Sequence, residues 1–192
     1  MTDIEHHPLQ PFLPPKARIL MLGSFPPPSK RWCMNFFYPN FLNDMWRIFG
    51  LVYFKNRDYF VDAHAKRFNL SLLEEFLSQK GVALFDTAVS VRRLKENASD
   101  HFLEIVEPTD IPALLERIPS CRAIVATGQK AIDTLRLSFA VEEPKIGQSV
   151  AISHKGRELR LYRMPSTSRA YPLKLEKKGE AYASMLRAEG LL

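Results

Sequence analysis

Asn43 sits among apolar residues in the segment YPNFLNDMWRIF. A side-chain amide offers one acceptor and two donors, so it can read a carbonyl and a ring N–H together. Asn43 also precedes DMWRIF, and helix N-caps favour Asn; one residue can do both. The stretch from Phe25 to Trp46 carries Phe25, Trp32, Phe36, Phe37, Tyr38, Phe41 and Trp46, seven aromatics in 22 residues. Phe25, Phe41 and Trp46 read as core. A proline-stiffened loop that presents Phe36, Phe37 and Tyr38 is a platform for a planar ligand, because stacking on a base contributes roughly 1–3 kcal/mol.

A second segment, MPSTSRAYPLK, sets Ser166, Thr167 and Ser168 in succession, then Arg169 and Tyr171, then a basic stretch holding Lys174, Lys177 and Lys178. Hydroxyls beside a helix N-terminus make good phosphate ligands. The same residues also suit a plain capping turn, and the Lys174 to Lys178 charge run has the composition of a solvated helix face. Other chemistries lack their residues. No G-x-S-x-G nucleophile elbow and no G-x-G-x-x-G run occurs. Cys33 and Cys121 lie 88 residues apart with no CxxC, so neither a four-thiolate metal site nor a disulfide framework is expected. The five histidines, His6, His7, His64, His101 and His154, have no metal-ligand spacing and are expected at the surface or in structural roles.

Short apolar runs must hold these loops. Ala17 to Gly23, Gly81 to Thr87, Ala123 to Gly128 and Leu159 to Ser166 each end in a polar turn and read as strands. Helical spacing lies between them: Leu70, Leu73, Phe76 and Leu77; Leu114, Leu115 and Ile118 after Pro112; Ile132, Leu135 and Phe139 within Gln129 to Phe139; and the basic stretch Leu173 to Gly190. Val150 to Leu161 alternates around Lys155-Gly156-Arg157 and suits a hairpin. Strand–helix alternation with near-continuous apolar strands predicts an α/β fold with a mostly parallel sheet covered on both faces. Ligands of such sheets sit beyond the strand carboxyl ends. The site is therefore expected among the loops Gly23 to Trp46, Asp86 to Arg93, Thr127 to Lys130 and Pro165 to Lys174.

The chain has 192 residues, 46% of them hydrophobic and 25% charged, which fits one globular domain over residues 1–192. Eight of its 14 prolines (8, 11, 14, 15, 26, 27, 28 and 39) fall in the first 39 residues. Residues 1–16 are expected to be loosely ordered. No apolar run approaches the ~20 residues that span a bilayer, so no membrane association is expected. The start MTDIEHHPLQ lacks a signal-peptide pattern, and a reduced cytoplasm is the expected location. A net charge of +6 and a pI of about 9.4 make a polyanionic partner worth testing.

Taken together, Gly23-Ser24-Phe25-Pro26, Phe36-Phe37-Tyr38, Asn43 with Trp46, and Pro165-Ser166-Thr167-Ser168 resemble the uracil-DNA glycosylase superfamily, nearest its hypoxanthine-DNA glycosylase branch. The likeness runs over about residues 17 to 190. It implies a three-layer α/β/α sandwich around a four-stranded mostly parallel sheet. It implies a metal-independent enzyme, and no cofactor is expected. The sequence itself leaves the oligomeric state open; nothing in it suggests an obligate protein partner, and a monomer is the expectation. Such an enzyme hydrolyses the N-glycosidic bond of a deaminated base, uracil or hypoxanthine, flipped out of DNA during base-excision repair. Carried over, Asn43 is the catalytic residue. Gly23, Ser24, Phe25, Phe37, Tyr38 and Asn40 form the base pocket, with Phe37 the stacking platform. Ser166, Thr167, Ser168, Arg169, Tyr171 and Lys174 meet phosphates or the minor groove, with Tyr171 a wedge. Many superfamily members place Asp or Asn where Phe25 stands, so activity would rest on Asn43. Asn40-Phe41 replace the branch's His-Pro, and Arg169-Ala170-Tyr171 its Pro-Ala-Asn, which leaves the preferred base open. A non-catalytic DNA- or nucleotide-binding relative is the alternative.

Overall fold

The computed structural model describes residues 3–95 and 102–192. In chain order its elements are β1 (Ile4–His6), β2 (Ile19–Gly23), α1 (Met45–Phe54), β3 (Val61–Asp62), β4 (Arg67–Phe68), α2 (Leu70–Lys80), β5 (Val82–Asp86), β6 (Ala88–Arg93), β7 (Leu103–Pro108), α3 (Ile111–Arg117), β8 (Ala123–Thr127), α4 (Gln129–Phe139), β9 (Gln148–His154), β10 (Arg157–Met164) and α5 (Leu175–Ala188). Every residue of β2, β5 and β8 is buried. Strands apolar on both faces must be covered on both, and parallel pairing with crossover helices does this.

The central sheet has the order β5-β2-β8-β10-β9. The first four strands run parallel, with Ile19 opposite Val82 and Ala123, and Leu161 opposite Ile124. These are the four strands legible as apolar runs. β9 adds a fifth, antiparallel to β10. Their connecting residues Lys155 and Gly156 both have positive φ, 49° and 78°, the turn that suits a two-residue hairpin.

Helices flank this sheet: α4 lies on β8 and β2, α2 on β5, and α5 on β10, with α1 packed against α5. Side-chain caps start α2 and α3, where Asn69 accepts from the Leu72 N–H at 3.1 Å and Asp110 from the Ala113 N–H at 3.0 Å. In α1 seven of ten residues are buried, so it has no polar stripe from which to read a helical period. Gly179 permits the close approach of α5 to α1, since a Cβ there would lie 3.3 Å from Leu51 Cδ2.

Residues 3–16 are packed, against the expectation of a loose segment. β6 follows β5 after Thr87 alone and leaves a backbone edge open. β1 pairs with it antiparallel on one side and β7 on the other, forming a separate three-stranded sheet. Phe12 bridges to Leu84 and its ring meets Phe36 at 5.3 Å. Prolines 8, 11, 14 and 15 stiffen this excursion rather than loosen it. Among the described residues no helix is long and apolar enough to cross a membrane.

Candidate functional site

The strand order reverses between β2 and β8, the point at which open parallel sheets bind ligands. A cavity of about 130 Å³ opens there. Gly23 ends β2, Asp86 ends β5, Thr127 ends β8 and Ser166 follows β10; all four line it. The Thr127 hydroxyl reaches the Leu22 carbonyl at 3.2 Å and pairs with the Tyr38 hydroxyl at 2.8 Å. The seam between β2 and β8 is thereby tied to the aromatic loop.

Gly23, Ser24, Phe25, Phe37, Tyr38 and Asn40 all line this cavity, as does Asn43. Ser166, Thr167 and Ser168 line it from the opposite loop. Arg169 and Tyr171 lie instead in an adjoining groove of about 710 Å³, which shares Asn40, Asn43, Ser166 and Ser168 with the cavity. Lys174 lines neither; it is the exposed residue just before α5.

Asn43 is half-buried at the start of α1. Its Oδ1 accepts from the Met45 N–H at 2.8 Å, satisfying one of the helix's orphan donors. Its Nδ2 has no partner among the described residues. The sequence allowed an amide that reads both a carbonyl and an N–H. The structure occupies the acceptor and leaves the donor.

Two tryptophans fix the aromatic loop. Trp32 Nε1 donates to the Pro27 carbonyl at 2.7 Å and Trp46 Nε1 to the Phe37 carbonyl at 3.2 Å. Phe36 stacks on Trp46 at 6.2 Å. Tyr38 holds a left-handed backbone, φ 49°, which costs a non-glycine residue roughly 1 kcal/mol. Phe37 is only 3% exposed; its ring meets Phe36, Phe85 and His7 at 5.3, 6.1 and 6.3 Å. Trp46 belongs to the core as expected, while Phe25 joins a satellite cluster with Ala88, Val91 and Leu103.

The serine loop is held by its carbonyls. Tyr182 donates to the Pro165 carbonyl at 3.0 Å, the Asp44 N–H to Thr167 at 2.9 Å, and Lys178 Nζ to Ser168 at 2.7 Å. Burial, with the nearby Tyr38 phenol, pushes the Tyr182 phenol well above its usual pKa, so it remains a donor. The Ser166 and Ser168 hydroxyl oxygens accept the N–H groups of Ser168 and Ala170 at 3.2 and 3.3 Å, which leaves their O–H groups to donate outward. Lys178 departs from the solvated face expected of its charge run. It is fully buried, while Lys174 and Lys177 are exposed.

Three polar cavity residues, Asp86, Arg93 and Thr127, escaped individual notice in the sequence, although the loops Asp86 to Arg93 and Thr127 to Lys130 were placed in the site region. Asp86 is buried, and its Oδ2 lies 2.9 Å from Nε2 of His7. His7 Nδ1 lies 3.1 Å from the Leu9 N and 3.0 Å from the Leu9 carbonyl oxygen; a carboxylate only accepts, so Nε2 is the donor to Asp86. Asp86 Oδ1 has no partner among the described residues. Arg93 makes a two-pronged pair with Glu5 at 2.9 and 3.0 Å and reaches the Pro26 carbonyl at 3.1 Å. Glu5 and His7 thus each brace one cavity residue from the segment expected to be loose. Asp86 was findable as the polar residue closing an apolar strand; His7 was not, because its partner is 79 residues away. His101 lies outside the described residues. Among the described residues no group of three or more His, Cys, Asp or Glu could hold a metal ion.

No protein-family model and no curated protein matches the chain. Among solved structures it is similar to a solution NMR structure from Methanosarcina acetivorans, provisionally assigned as a uracil DNA glycosylase. That likeness has 21% identity and a TM-score of 0.61, and covers 96% of this chain and 99% of the other. At that identity it establishes the shared fold.

Proposed function

We propose that the protein is a DNA glycosylase that hydrolyses the N-glycosidic bond of a deaminated base, uracil or hypoxanthine, extruded from DNA. The observation that carries this reading is one small cavity faced by a free amide donor (Asn43), a carboxylate with one free oxygen (Asp86) and an aromatic wall, with hydroxyls on its rim. About 130 Å³ suits a single heterocycle rather than the larger ligands of ordinary cofactor pockets. The provisional assignment of the structural relative points the same way.

The chemistry fits these groups. As the C–N bond breaks, its electron pair leaves with the base and positive charge builds on the sugar. Asn43 Nδ2 donates to a base carbonyl, where the departing charge accumulates; one such preorganised donor contributes about 10²–10³ in rate. Asp86 Oδ1 accepts a ring N–H, and His7 holds its other oxygen. Water adds to the sugar carbon and loses a proton, the departed base anion takes up a proton, and the products are free base and an abasic site. The Ser166 and Ser168 hydroxyls and Arg169 hold the flanking phosphates, and Tyr171 lies in the groove where the duplex would enter. Extruding the base costs a few kcal/mol, which phosphate contacts and stacking offset.

The test is a panel of duplexes bearing uracil, hypoxanthine or xanthine, with the released base separated and identified. The reading expects release from at least one duplex. Binding of every duplex with no release supports the non-catalytic relative instead.

A further inference from the structure

Lys178 is a charged side chain with no exposure, and the excision chemistry does not use it. A buried ammonium is tolerated only when paired and hydrogen-bonded. Its Nζ donates to Asp44 Oδ2 at 2.9 Å and to the Ser168 carbonyl at 2.7 Å, and lies 5.9 Å from the Tyr171 ring centre. Asp44 is the N-cap residue of α1, yet its side chain caps nothing; its neighbour Asn43 serves the Met45 N–H instead. The Asp44 carboxylate is thus committed to Lys178, while its backbone N–H holds the Thr167 carbonyl. Its other oxygen lies 3.5 Å from Arg169, whose side chain is 48% exposed.

We propose that Lys178 and Asp44 form a positioning strut that locks the Asn43 end of α1 to the serine loop, so that the two loops move as one body. The charged and polar groups around it are Asp44 at the N-cap of α1, Arg47 within α1, which feels the charges of both Asp44 and Arg169, Ser168 and Arg169 on the loop, and Tyr171 beyond. Arg169 is the exchangeable member. It can leave Asp44 for a phosphate while Lys178 stays, so that phosphate capture leaves Asn43 in register. The kinetic half of this inference rests on the glycosylase reading; the mechanical half does not.

The test is the double variant Asp44→Leu/Lys178→Met, which replaces both charges by apolar side chains. Such replacement of a buried pair is often neutral for stability. The expected result is a Tm close to wild type, a single-turnover excision rate at least tenfold lower, and a duplex Kd changed less than threefold. Exchange of the backbone N–H at position 44 should be at least tenfold faster. A variant with wild-type rate at wild-type Tm overturns the strut, whatever its exchange, and reduces Lys178 to a stabilising residue. If the double variant folds poorly, Lys178→Gln, whose shorter amide cannot span both acceptors, carries the same comparison. If wild-type protein releases no base from any duplex, the glycosylase reading fails, and exchange at position 44 alone decides: faster supports the strut, unchanged overturns it.

Discussion

His7 Nε2 lies 2.9 Å from Asp86 Oδ2, joining a residue near the chain start to the carboxyl end of a central strand. Both side chains are nearly out of solvent, at 3% and 10% exposure. The His7 ring is packed among Phe25, Phe37 and Phe85 at 5.3, 6.3 and 4.6 Å. The pair therefore supports one side of the cavity from behind.

Removing His7 leaves a buried carboxylate with a lost donor. We expect His7→Ala to destabilise by about 1–3 kcal/mol and to slow excision, as read by thermal unfolding and by single-turnover kinetics. Asp86→Asn keeps an acceptor for His7 but adds a donor. It should alter the relative rates on the uracil and hypoxanthine duplexes more than it alters Tm.

Gly23 is required by proximity. A Cβ there would lie 2.4 Å from Asp86 Oδ1 and 3.6 Å from the Tyr38 hydroxyl oxygen. Gly23→Ala must displace a carboxylate that His7 already holds. Overpacking of this kind costs roughly 1–3 kcal/mol, and the excision rate should fall at least tenfold in a variant that remains folded by circular dichroism.

The strands and loops of this site were legible because each apolar strand runs into a polar turn at the same end of the sheet. The spans 129–139 and 70–80 were equally plain from their 3–4 spacing. The rest depended on long-range pairing. α1 is apolar nearly all round, so no period marks it. β6 runs on from β5 across Thr87, and its partner β1 is three residues long, so nothing local signals a second sheet. Lys178 looked solvated because the carboxylate that holds it is 134 residues away. Asn43 was legible as a cap and as a candidate reader; the geometry shows that Oδ1 caps α1 and that Nδ2 has no partner among the described residues.

Phosphate contacts release counterions, so duplex affinity should fall steeply and linearly in log Kd against log salt. Arg169→Ala should lower that slope by about 1 and weaken binding to damaged and undamaged duplexes alike. Fluorescence anisotropy across a salt series measures it; a flat response in wild type removes DNA as the partner.

Both cysteines are free thiols. Burial raises the Cys121 pKa to about 11 and also raises that of Cys33. The thiolate is the reactive form. Raised pKa values mean that little thiolate exists near pH 8, and each further pH unit increases it about tenfold until the pKa is reached. Native protein should take up iodoacetamide at Cys121 far more slowly than unfolded protein at pH 8, as read by mass spectrometry.

The measurement that bears most directly on the account is the single-turnover excision rate of Asn43→Asp on the duplex that wild type cleaves fastest. Aspartate keeps an oxygen for the Met45 N–H and is a good residue at a helix start, so Tm should be equal to wild type or higher. It offers no donor to a departing base, so the rate should fall by about 10²–10³, with duplex binding changed less than threefold. An Asn43→Asp variant that excises at the wild-type rate would contradict the assignment of Asn43 as the group that stabilises the leaving base.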